Sequence, residues 1–214
     1  MNNKFTSIIG IFIIVIFFIL SSYIVEKNLD FFRDNLNGVH GIFLYIFIVI
    51  IAEVIAPVSA IPLLPVASNV WGWYWAAILS IIGWVIGAII AFEIARKFGV
   101  PLVKKLVPLE QIYKIEKKIP TEHVFLSVVL LRITIPVDLL SYALGLFSSI
   151  KRKDYILATT IGVIPFGFIL AYIGTLPFFY QIIGIIIAFV IILIGILSIY
   201  NKKRIKDYKI KKEN

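Results

Sequence analysis

Six apolar runs, separated by charged or proline-rich segments, make up much of this 214-residue chain. The hydrophobic share is 61%, the charged share is only 15%, and the mean hydropathy is +1.01. A water-soluble fold of this size has too little interior to bury so much apolar surface. The sequence therefore predicts an all-α integral membrane protein and excludes a soluble enzyme or a disordered regulator. The runs are residues 5–25, 41–56, 73–95, 124–134, 155–174 and 178–200.

The first run, residues 5–25, is long enough to span a bilayer. A cleaved signal peptide is the competing interpretation. The apolar stretch, however, exceeds the usual length of about 7 to 15 residues, and Ser21, Ser22 and Tyr23 make a poor cleavage site. We therefore expect residues 1–40 to contain a retained transmembrane anchor and an outer loop.

Two of the runs are too short to cross a membrane. Residues 41–56 would rise about 24 Å as a helix, which is less than the ~30 Å hydrocarbon core, and residues 124–134 form a shorter run still. Each short run is followed by a run that can span, residues 73–95 and residues 155–174.

Prolines follow both short runs and interrupt the helix there. Broken backbone at membrane depth is tolerated only where protein or a water-filled cavity satisfies it. We therefore expect two re-entrant hairpins, each followed by a transmembrane helix. The hairpin breaks are Pro57, Pro62 and Pro65 in the first unit and Pro136 in the second.

The two units match when the sequence is slid along itself by 79 residues. Each unit is then a short helix carrying one charge, a proline four residues later, a return and a full span, which predicts an internal repeat. We place the repeats at residues 41–95 and 123–174, joined by an inner interfacial segment at residues 96–122. The matched pairs are Glu53 with Arg132, Pro57 with Pro136, and Gly83 with Gly162.

The placement of Lys and Arg orients these units. With both termini in the cytoplasm, 18 of the 21 basic residues lie inside, Lys27 and Arg33 lie outside, and Arg132 lies within the membrane. The hairpins then enter from opposite faces. Such an inverted repeat, with paired interrupted segments, is typical of transporters that bind substrate near the midplane. The repeat domain would comprise residues 41–177, followed by a C-terminal transmembrane helix at residues 178–200.

Contact with the membrane surface explains the basic residues of the tail and of the segment between the two repeats. The net charge of +9 raises the question of nucleic acid, but a cytoplasmic tail at residues 201–214 that touches anionic lipid heads accounts for it, and no nucleic-acid partner is expected. Residues 109–119 place apolar side chains opposite lysines, which predicts a short helix lying in the headgroup region.

Five residues are candidates for a substrate or ion pathway. Glu53 and Arg132 lie inside apolar segments, where an unpaired charge costs about 2.5 to 3.5 kcal/mol, and the repeat makes them natural neighbours. They form either a buried ion pair that fixes the hairpins or an anion or proton site on a translocation path. Asp138 could neutralise Arg132, cap the helix that follows, or take up protons. Ser141 and Tyr142 complete the set.

Small residues recur every four positions along residues 73–95 and let another helix approach closely. Glycines in the second unit are expected to do the same. The predicted packing positions are Gly83, Gly87, Ala91, Gly145 and Gly162, and Ala95 continues the first stripe.

Two groups near the ends of residues 73–95 are interpreted as structural. Glu93 can pair with Arg96 or Lys97 at helical spacing. An aromatic belt at the membrane boundary explains a cluster at the outer end, which comprises Trp71, Trp73, Tyr74 and Trp75.

Motifs for enzymatic chemistry are missing. The chain contains no cysteine and only two histidines, and neither an HExxH, a GxSxG nor a Walker loop occurs. We expect no catalytic residue, no metal and no cofactor, and an ATP-driven pump or an intramembrane hydrolase is disfavoured.

Several segments share a family pattern: residues 131–146, residues 158–162 with Pro165, and, in the first half, Glu53, the proline loop and residues 92–99. This pattern resembles the DedA/VTT-domain superfamily, also called the SNARE-associated Golgi protein domain, and within it the Tvp-type branch.

The resemblance implies two re-entrant hairpins that meet in the membrane and a role in moving lipids between leaflets. Eukaryotic relatives are associated with phospholipid scrambling, and bacterial DedA relatives with recycling polyprenyl-phosphate carriers in the cell membrane. Glu53 and Arg132 look like the family's membrane acid and base. The first proline loop, residues 57–72, lacks the acid that the DedA branch usually carries there.

We therefore expect a scramblase or flippase-type transporter in a prokaryotic cell membrane, which uses no ATP and moves a phospholipid or a polyprenyl-phosphate-like anionic lipid. Arg132 would contact the phosphate, and Glu53 would hold Arg132 or exchange a proton. The alternative is a non-transporting scaffold that binds partners through the small-residue stripe. Membrane lipids are the expected partners, and a homo-oligomer is possible.

Overall fold

The computed structural model describes residues 3–36, 38–55, 59–107, 109–116, 124–134 and 137–184. These ranges are helical with short connections and contain no strand, which confirms the predicted helical class. A 3₁₀ turn lies at Ile61–Leu63. The helices are α1 (Asn3–Lys27), α2 (Leu29–Leu36), α3 (Val39–Val54), α4 (Leu64–Trp71), α5 (Trp73–Leu106), α6 (Leu109–Glu116), α7 (Val124–Thr134), α8 (Val137–Phe147) and α9 (Arg152–Gly174).

Within the described ranges, two helices are long and apolar enough to cross a membrane, namely α5 and α9. The bent pair of α1 and α2, whose axes differ by 90°, is a third candidate. Residues from 176 onward form a separate unit, in which helical conformation resumes at Phe178. Most of the predicted C-terminal span, residues 185–200, lies outside the described residues.

The helix extends beyond the predicted span at residues 73–95, because α5 continues to Leu106. The helix is interrupted at Gly99, whose φ of 64° lies in the left-handed region that glycine tolerates. Pro101 follows two residues later, in the first turn of the new segment, where its missing N–H is not needed. A change of helix direction therefore replaces the predicted end of the helix at Ala95.

The two long helices α5 and α9 run antiparallel. Near the start of α5, the Trp73 ring lies 6.0 Å from that of Tyr172 at the end of α9. Near the start of α9, the Tyr155 ring lies 3.9 Å from that of Phe92. Trp73 and Tyr172 belong to a group of partly exposed rings at this end, and the aromatic belt stays a prediction.

Helix α3 runs parallel to α5 and in register with it. Because α3 ends about level with the middle of α5, the chain has to return to the start of α5 through the 3₁₀ turn and α4. At 1.5 Å per residue, the 14 residues from Trp73 to Gly87 make this return about 21 Å long. The pairs in contact are Tyr45 with Ser80, Val49 with Gly83, and Glu53 with Gly87.

The short helices α4 and α8 each pack on a long helix of the other half of the chain. A Cβ atom added at Gly145 of α8 would lie 2.5 Å from the carbonyl oxygen of Phe92 in α5. A Cβ atom added at Gly174 of α9 would lie 3.1 Å from Cα of Pro65 in α4. A side chain at Gly145 would clash with the α5 backbone, and one at Gly174 would force its neighbours to shift by a few tenths of an ångström.

Two of the predicted hairpin breaks can be located. Pro62 lies in the 3₁₀ turn and Pro65 in the first turn of α4, both of which tolerate a missing N–H. Pro57 and Pro136 lie outside the described residues.

The short helix predicted near residue 109 is present as α6, but its apolar face is covered by protein. Ile112 and Ile115 are buried in a cluster with residues of α5 and α8, and the Tyr113 ring lies 5.6 Å from that of Phe147. The amphipathic pattern therefore marks a helix–helix contact on this face rather than a contact with lipid.

Candidate functional site

Arg132 lies in the last turn of α7 and is only 3% exposed. The stem of its side chain rests on Gly162, at the middle of α9, where an added Cβ atom would be 2.6 Å from Arg132 Cβ. A charge buried among apolar helices has to be surrounded by polar partners, because the hydrocarbon core offers none.

Three hydroxyl groups from α8 and α9 supply such partners. The Nη2 atom of Arg132 lies 2.9 Å from Ser141 Oγ, 2.8 Å from Tyr155 Oη and 3.3 Å from Thr159 Oγ1. All three residues are fully buried. Ser141, Tyr155 and Thr159 are called the hydroxyl cradle below. Hydroxyls can both donate and accept hydrogen bonds, so the cradle can bind a cation in one state and an anion in another.

Tyr155 links the cradle to α5. Its hydroxyl donates a hydrogen bond to the carbonyl oxygen of Ala88 at 2.9 Å, and its ring stacks on Phe92 with an interplanar angle of 14°. Arg96 lies 4.3 Å from the centroid of the same Phe92 ring. Since Tyr155 covers one face of Phe92, Arg96 covers the other. These three side chains are called the stacked column below.

Glu53 lies in the last turn of α3 and is 3% exposed. An added Cβ atom at Gly87 would be 2.5 Å from Glu53 Cβ, so the stem of this side chain also rests on a glycine. The carboxylate is close enough to Tyr155 to interact with it electrostatically, as is the Arg132 guanidinium. The two predicted charges therefore both lie near the same tyrosine.

The structure changes the register of the predicted repeat. Glu53 rests on Gly87, and Arg132 rests on Gly162. If the two charged residues are equivalent, Gly162 corresponds to Gly87 and not to Gly83, as the constant shift of 79 residues predicted. The second unit is then shorter by four residues, which is about one helical turn.

Tyr142 belongs to the same region through a backbone contact. Its hydroxyl donates a hydrogen bond to the carbonyl oxygen of Val54 at 2.6 Å, at the end of α3 where helical carbonyls lack intrahelical partners. The neighbouring Ser141 contacts Arg132. Helix α8 thus holds the ends of both α3 and α7, and a pathway role for Tyr142 stays a prediction.

Asp138 lies in the first turn of α8, but its side chain is outside the described part of the chain. The start of a helix is where a carboxylate is stabilised by the helix dipole, so the capping interpretation fits this place in the chain. The pathway interpretation stays a prediction.

The sequence did not single out Tyr155 and Thr159 as site residues. The available signal was their spacing, because Tyr155, Thr159 and Gly162 follow one another at i, i+4 and i+7 and so share one face of α9. That face meets the end of α7.

The small-residue stripe on α5 is filled from within the chain. Val49 and Glu53 of α3 rest on Gly83 and Gly87, Ala91 is fully buried, and an added Cβ atom at Gly145 would meet Ala95 Cβ at 2.6 Å. The stripe is therefore an internal packing surface, and the expectation that it could bind a partner is wrong.

The predicted partner of Glu93 is also wrong. Its carboxylate lies 3.2 Å from Nε of Arg152 at the start of α9, with exposed side-chain fractions of 40% and 65%. Arg96 instead donates hydrogen bonds to the carbonyl oxygens of Ile150 and Ser148, at 2.9 Å and 2.8 Å. Sequence spacing favoured partners on the same helix, whereas the start of α9 supplies the partner of Glu93 and the loop before it supplies the partners of Arg96.

A metal centre has no counterpart among the residues that the structure describes, since they contain no group of three His, Cys, Asp or Glu side chains that could hold an ion. The polar groups of the candidate site are one guanidinium, one carboxylate and several hydroxyl groups.

Two helices that are long and apolar enough to cross a bilayer indicate an integral membrane protein. A family model for the VTT domain matches residues 57–176, more than half of the chain. The chain therefore belongs to this family, the DedA/VTT superfamily, as the resemblance predicted. The match includes Arg132 and the hydroxyl cradle, and begins just after Glu53. Membership of the Tvp-type branch stays a prediction. No curated protein and no solved structure matches the chain.

Proposed function

We propose that this protein moves an anionic lipid headgroup between the two leaflets of a membrane without hydrolysing ATP. The observation that carries the proposal is the Arg132 guanidinium, buried between apolar helices and surrounded by hydroxyls that can exchange partners. An intramembrane ionisable residue is by default a candidate for a transport pathway. Membrane lipids are the proposed partners, and no bond is broken, so the protein is proposed to be a transporter and not an enzyme.

The depth of the site supports this proposal. Gly162, on which Arg132 rests, lies ten residues from the start of α9 and twelve from its end. Gly87, on which Glu53 rests, lies 14 residues after the start of α5 and twelve before its break at Gly99. Both charges therefore lie near the midpoints of the two candidate spans, where a headgroup crossing the membrane meets its highest barrier.

The path of the chain supports the proposed pair of re-entrant hairpins. Helix α3 runs parallel to α5 and ends about level with its middle, so the connection has to return about 21 Å to the side from which α3 started. Helix α4 packs on both long helices and α8 packs on α5, so each short helix reaches the long helix of the other unit, as two units related by a two-fold axis would require. With α5 and α9 antiparallel, these units would be inverted.

In the proposed mechanism, Arg132 exchanges its contacts with the hydroxyl cradle for contacts with a phosphate. Ser141 and Thr159 then donate hydrogen bonds to phosphate oxygens instead of accepting them from the guanidinium, while the Tyr155 hydroxyl keeps its hydrogen bond to the Ala88 carbonyl oxygen. Glu53 attracts the guanidinium back when the phosphate leaves, so that the site is reset. Only the headgroup enters the protein, and the acyl chains stay in lipid.

The test is leaflet exchange in liposomes that contain only the purified protein. Labelled phosphatidylglycerol and phosphatidylcholine are placed in one leaflet, and the rate of exchange is measured for each. Arg132→Gln should lower phosphatidylglycerol exchange about tenfold or more, since losing one charged contact of about 1.4 kcal/mol already gives a factor of ten. Arg152→Gln removes a positive charge at an exposed position and should leave the rate unchanged.

Absence of exchange by the unmodified protein with both lipids would refute the proposal. Unchanged exchange in folded Arg132→Gln would refute the assigned role of Arg132. The competing scaffold function would use the small-residue stripe as its binding face. This stripe is already covered by α3 and α8.

A further inference from the structure

We infer that Tyr155 is a positioning residue, whose hydroxyl fixes the Arg132 guanidinium relative to α5 and so sets the preference for anionic headgroups. The inference rests on the proposed function and adds to it the group that holds the cation in place. It follows from the two hydrogen bonds of the Tyr155 hydroxyl and from the stacking of the Tyr155 ring on Phe92.

The hydroxyl of Tyr155 has one proton to donate and lone pairs with which to accept. The proton is used in the bond to the Ala88 carbonyl oxygen at 2.9 Å. The lone pairs therefore point away from α5, and Nη2 of Arg132 lies there at 2.8 Å, the shortest of its three cradle contacts. The direction of the Arg132 contact is thus set by a backbone atom of α5.

Ala88 directly follows Gly87, on which Glu53 rests. The Tyr155 hydroxyl therefore joins the cation of one half of the chain to the backbone beside the carboxylate of the other half. A shift of α5 relative to α9 moves the hydroxyl and, with it, the preferred place of the guanidinium.

The tyrosine ring has little freedom to adjust. It is fully buried, as is the Phe92 ring stacked on it at 3.9 Å, and Arg96 closes the other face of Phe92. Arg96 in turn donates two hydrogen bonds to carbonyls of the loop between α8 and α9. A ring held in this way presents its hydroxyl at one fixed point, which is what positioning a flexible arginine requires.

Tyr155→Phe removes the hydroxyl and keeps the stacked ring. We expect phosphatidylglycerol exchange to fall about tenfold or more, which corresponds to the loss of one hydrogen bond to a charged group, while phosphatidylcholine exchange falls less, so that the ratio of the two rates drops. Tyr45→Phe is the matched control. It also removes a buried tyrosine hydroxyl with a side-chain partner, Ser80 at 2.6 Å, but one in α3 and outside the site. It should leave the ratio unchanged.

The decisive measurement combines Tyr155→Phe with Arg132→Gln. If the hydroxyl acts through Arg132, the double variant is no slower than Arg132→Gln alone. A multiplicative loss in the double variant, or an unchanged headgroup ratio in Tyr155→Phe, would overturn the inference.

A second variant covers the case in which Tyr155→Phe does not fold. Phe92→Leu keeps the hydroxyl but removes the stacked ring, and it should lower the headgroup ratio in the same direction. An unchanged ratio in folded Phe92→Leu would count against a role for the ring in positioning. If the unmodified protein exchanges no lipid, the proposed function itself fails, and the inference fails with it. Exchange by the unmodified protein together with additive variants would overturn the positioning role alone.

Discussion

Replacing Gly162 with alanine tests how closely the site depends on the contact between α7 and α9. The new Cβ atom would lie 2.6 Å from Arg132 Cβ and 3.2 Å from the carbonyl oxygen of Val129, whereas carbon atoms in contact prefer about 3.5 to 4.0 Å. Both neighbours belong to α7, one of them to its backbone. The helix therefore has to move away from α9 by about 1 Å, and the arginine moves with it.

The stability cost of this change is modest. Overpacking a well-filled contact costs about 1 to 3 kcal/mol, and replacing a helical glycine with alanine returns about 1 kcal/mol. We therefore expect the free energy of unfolding to fall by about 0 to 2 kcal/mol. The effect on function should be larger, because a misplacement of about 1 Å at a binding group can lower a rate by as much as about 100-fold.

Gly167→Ala, in the same helix, is the matched control. Its Cβ atom would meet Cγ1 and Cδ1 of Ile81, at 2.8 Å and 3.0 Å, and this side chain can rotate at a cost of about 0.5 to 1.5 kcal/mol. Thermal unfolding in detergent and lipid exchange in liposomes are measured for both variants. Gly162→Ala should lose at least about tenfold in exchange, and Gly167→Ala should resemble the unmodified protein. Equal exchange in the two variants would refute the reasoning.

The remaining predictions concern charges and topology. Swapping the central charges, by Glu53→Arg with Arg132→Glu, should restore folding but not exchange of anionic lipid, because the positive charge has moved to the other unit; full recovery of exchange would show that the pair is purely architectural. Glu93→Gln should change the free energy of unfolding by less than about 1 kcal/mol, since its pair with Arg152 is largely exposed, and a loss of several kcal/mol in a denaturation series would contradict this. A cysteine placed at Asn37 should react with an impermeant reagent added outside intact cells, and reaction only from the cytoplasmic side would reverse the predicted topology.

Local signals in the sequence predicted the helices well. The run at residues 124–134 coincides with α7, because polarity and Pro136 limit it on both sides. The sequence places the end of this run at Ala95, because Arg96 is the first charged residue after it, whereas α5 continues to Leu106. A charged side chain ends an apolar run without ending a helix, and the actual interruption at Gly99 depends on one backbone dihedral angle.

Only part of the candidate site could be identified from the sequence. Glu53 and Arg132 stand out because a charge inside an apolar run is costly wherever the run packs. Tyr155 and Thr159 do not stand out, since hydroxyl residues are common along membrane helices and at their ends. Their role arises only when α7 and α9 meet, a contact between residues far apart in the chain that no local pattern encodes.

The stacked column turns the loop between α8 and α9 into a spacer of fixed length. Arg96, at one end of the stacked column, donates hydrogen bonds to the carbonyl groups of Ser148 and Ile150. Tyr155, at the other end, lies only a few residues further along the chain. The loop between α8 and α9 is thus held to the stacked column at two points, by Arg96 and by Tyr155. Connections on a protein surface usually tolerate insertions, but one added residue here would pull the tyrosine out of line with its stacking partner and carry the hydroxyl away from the buried guanidinium.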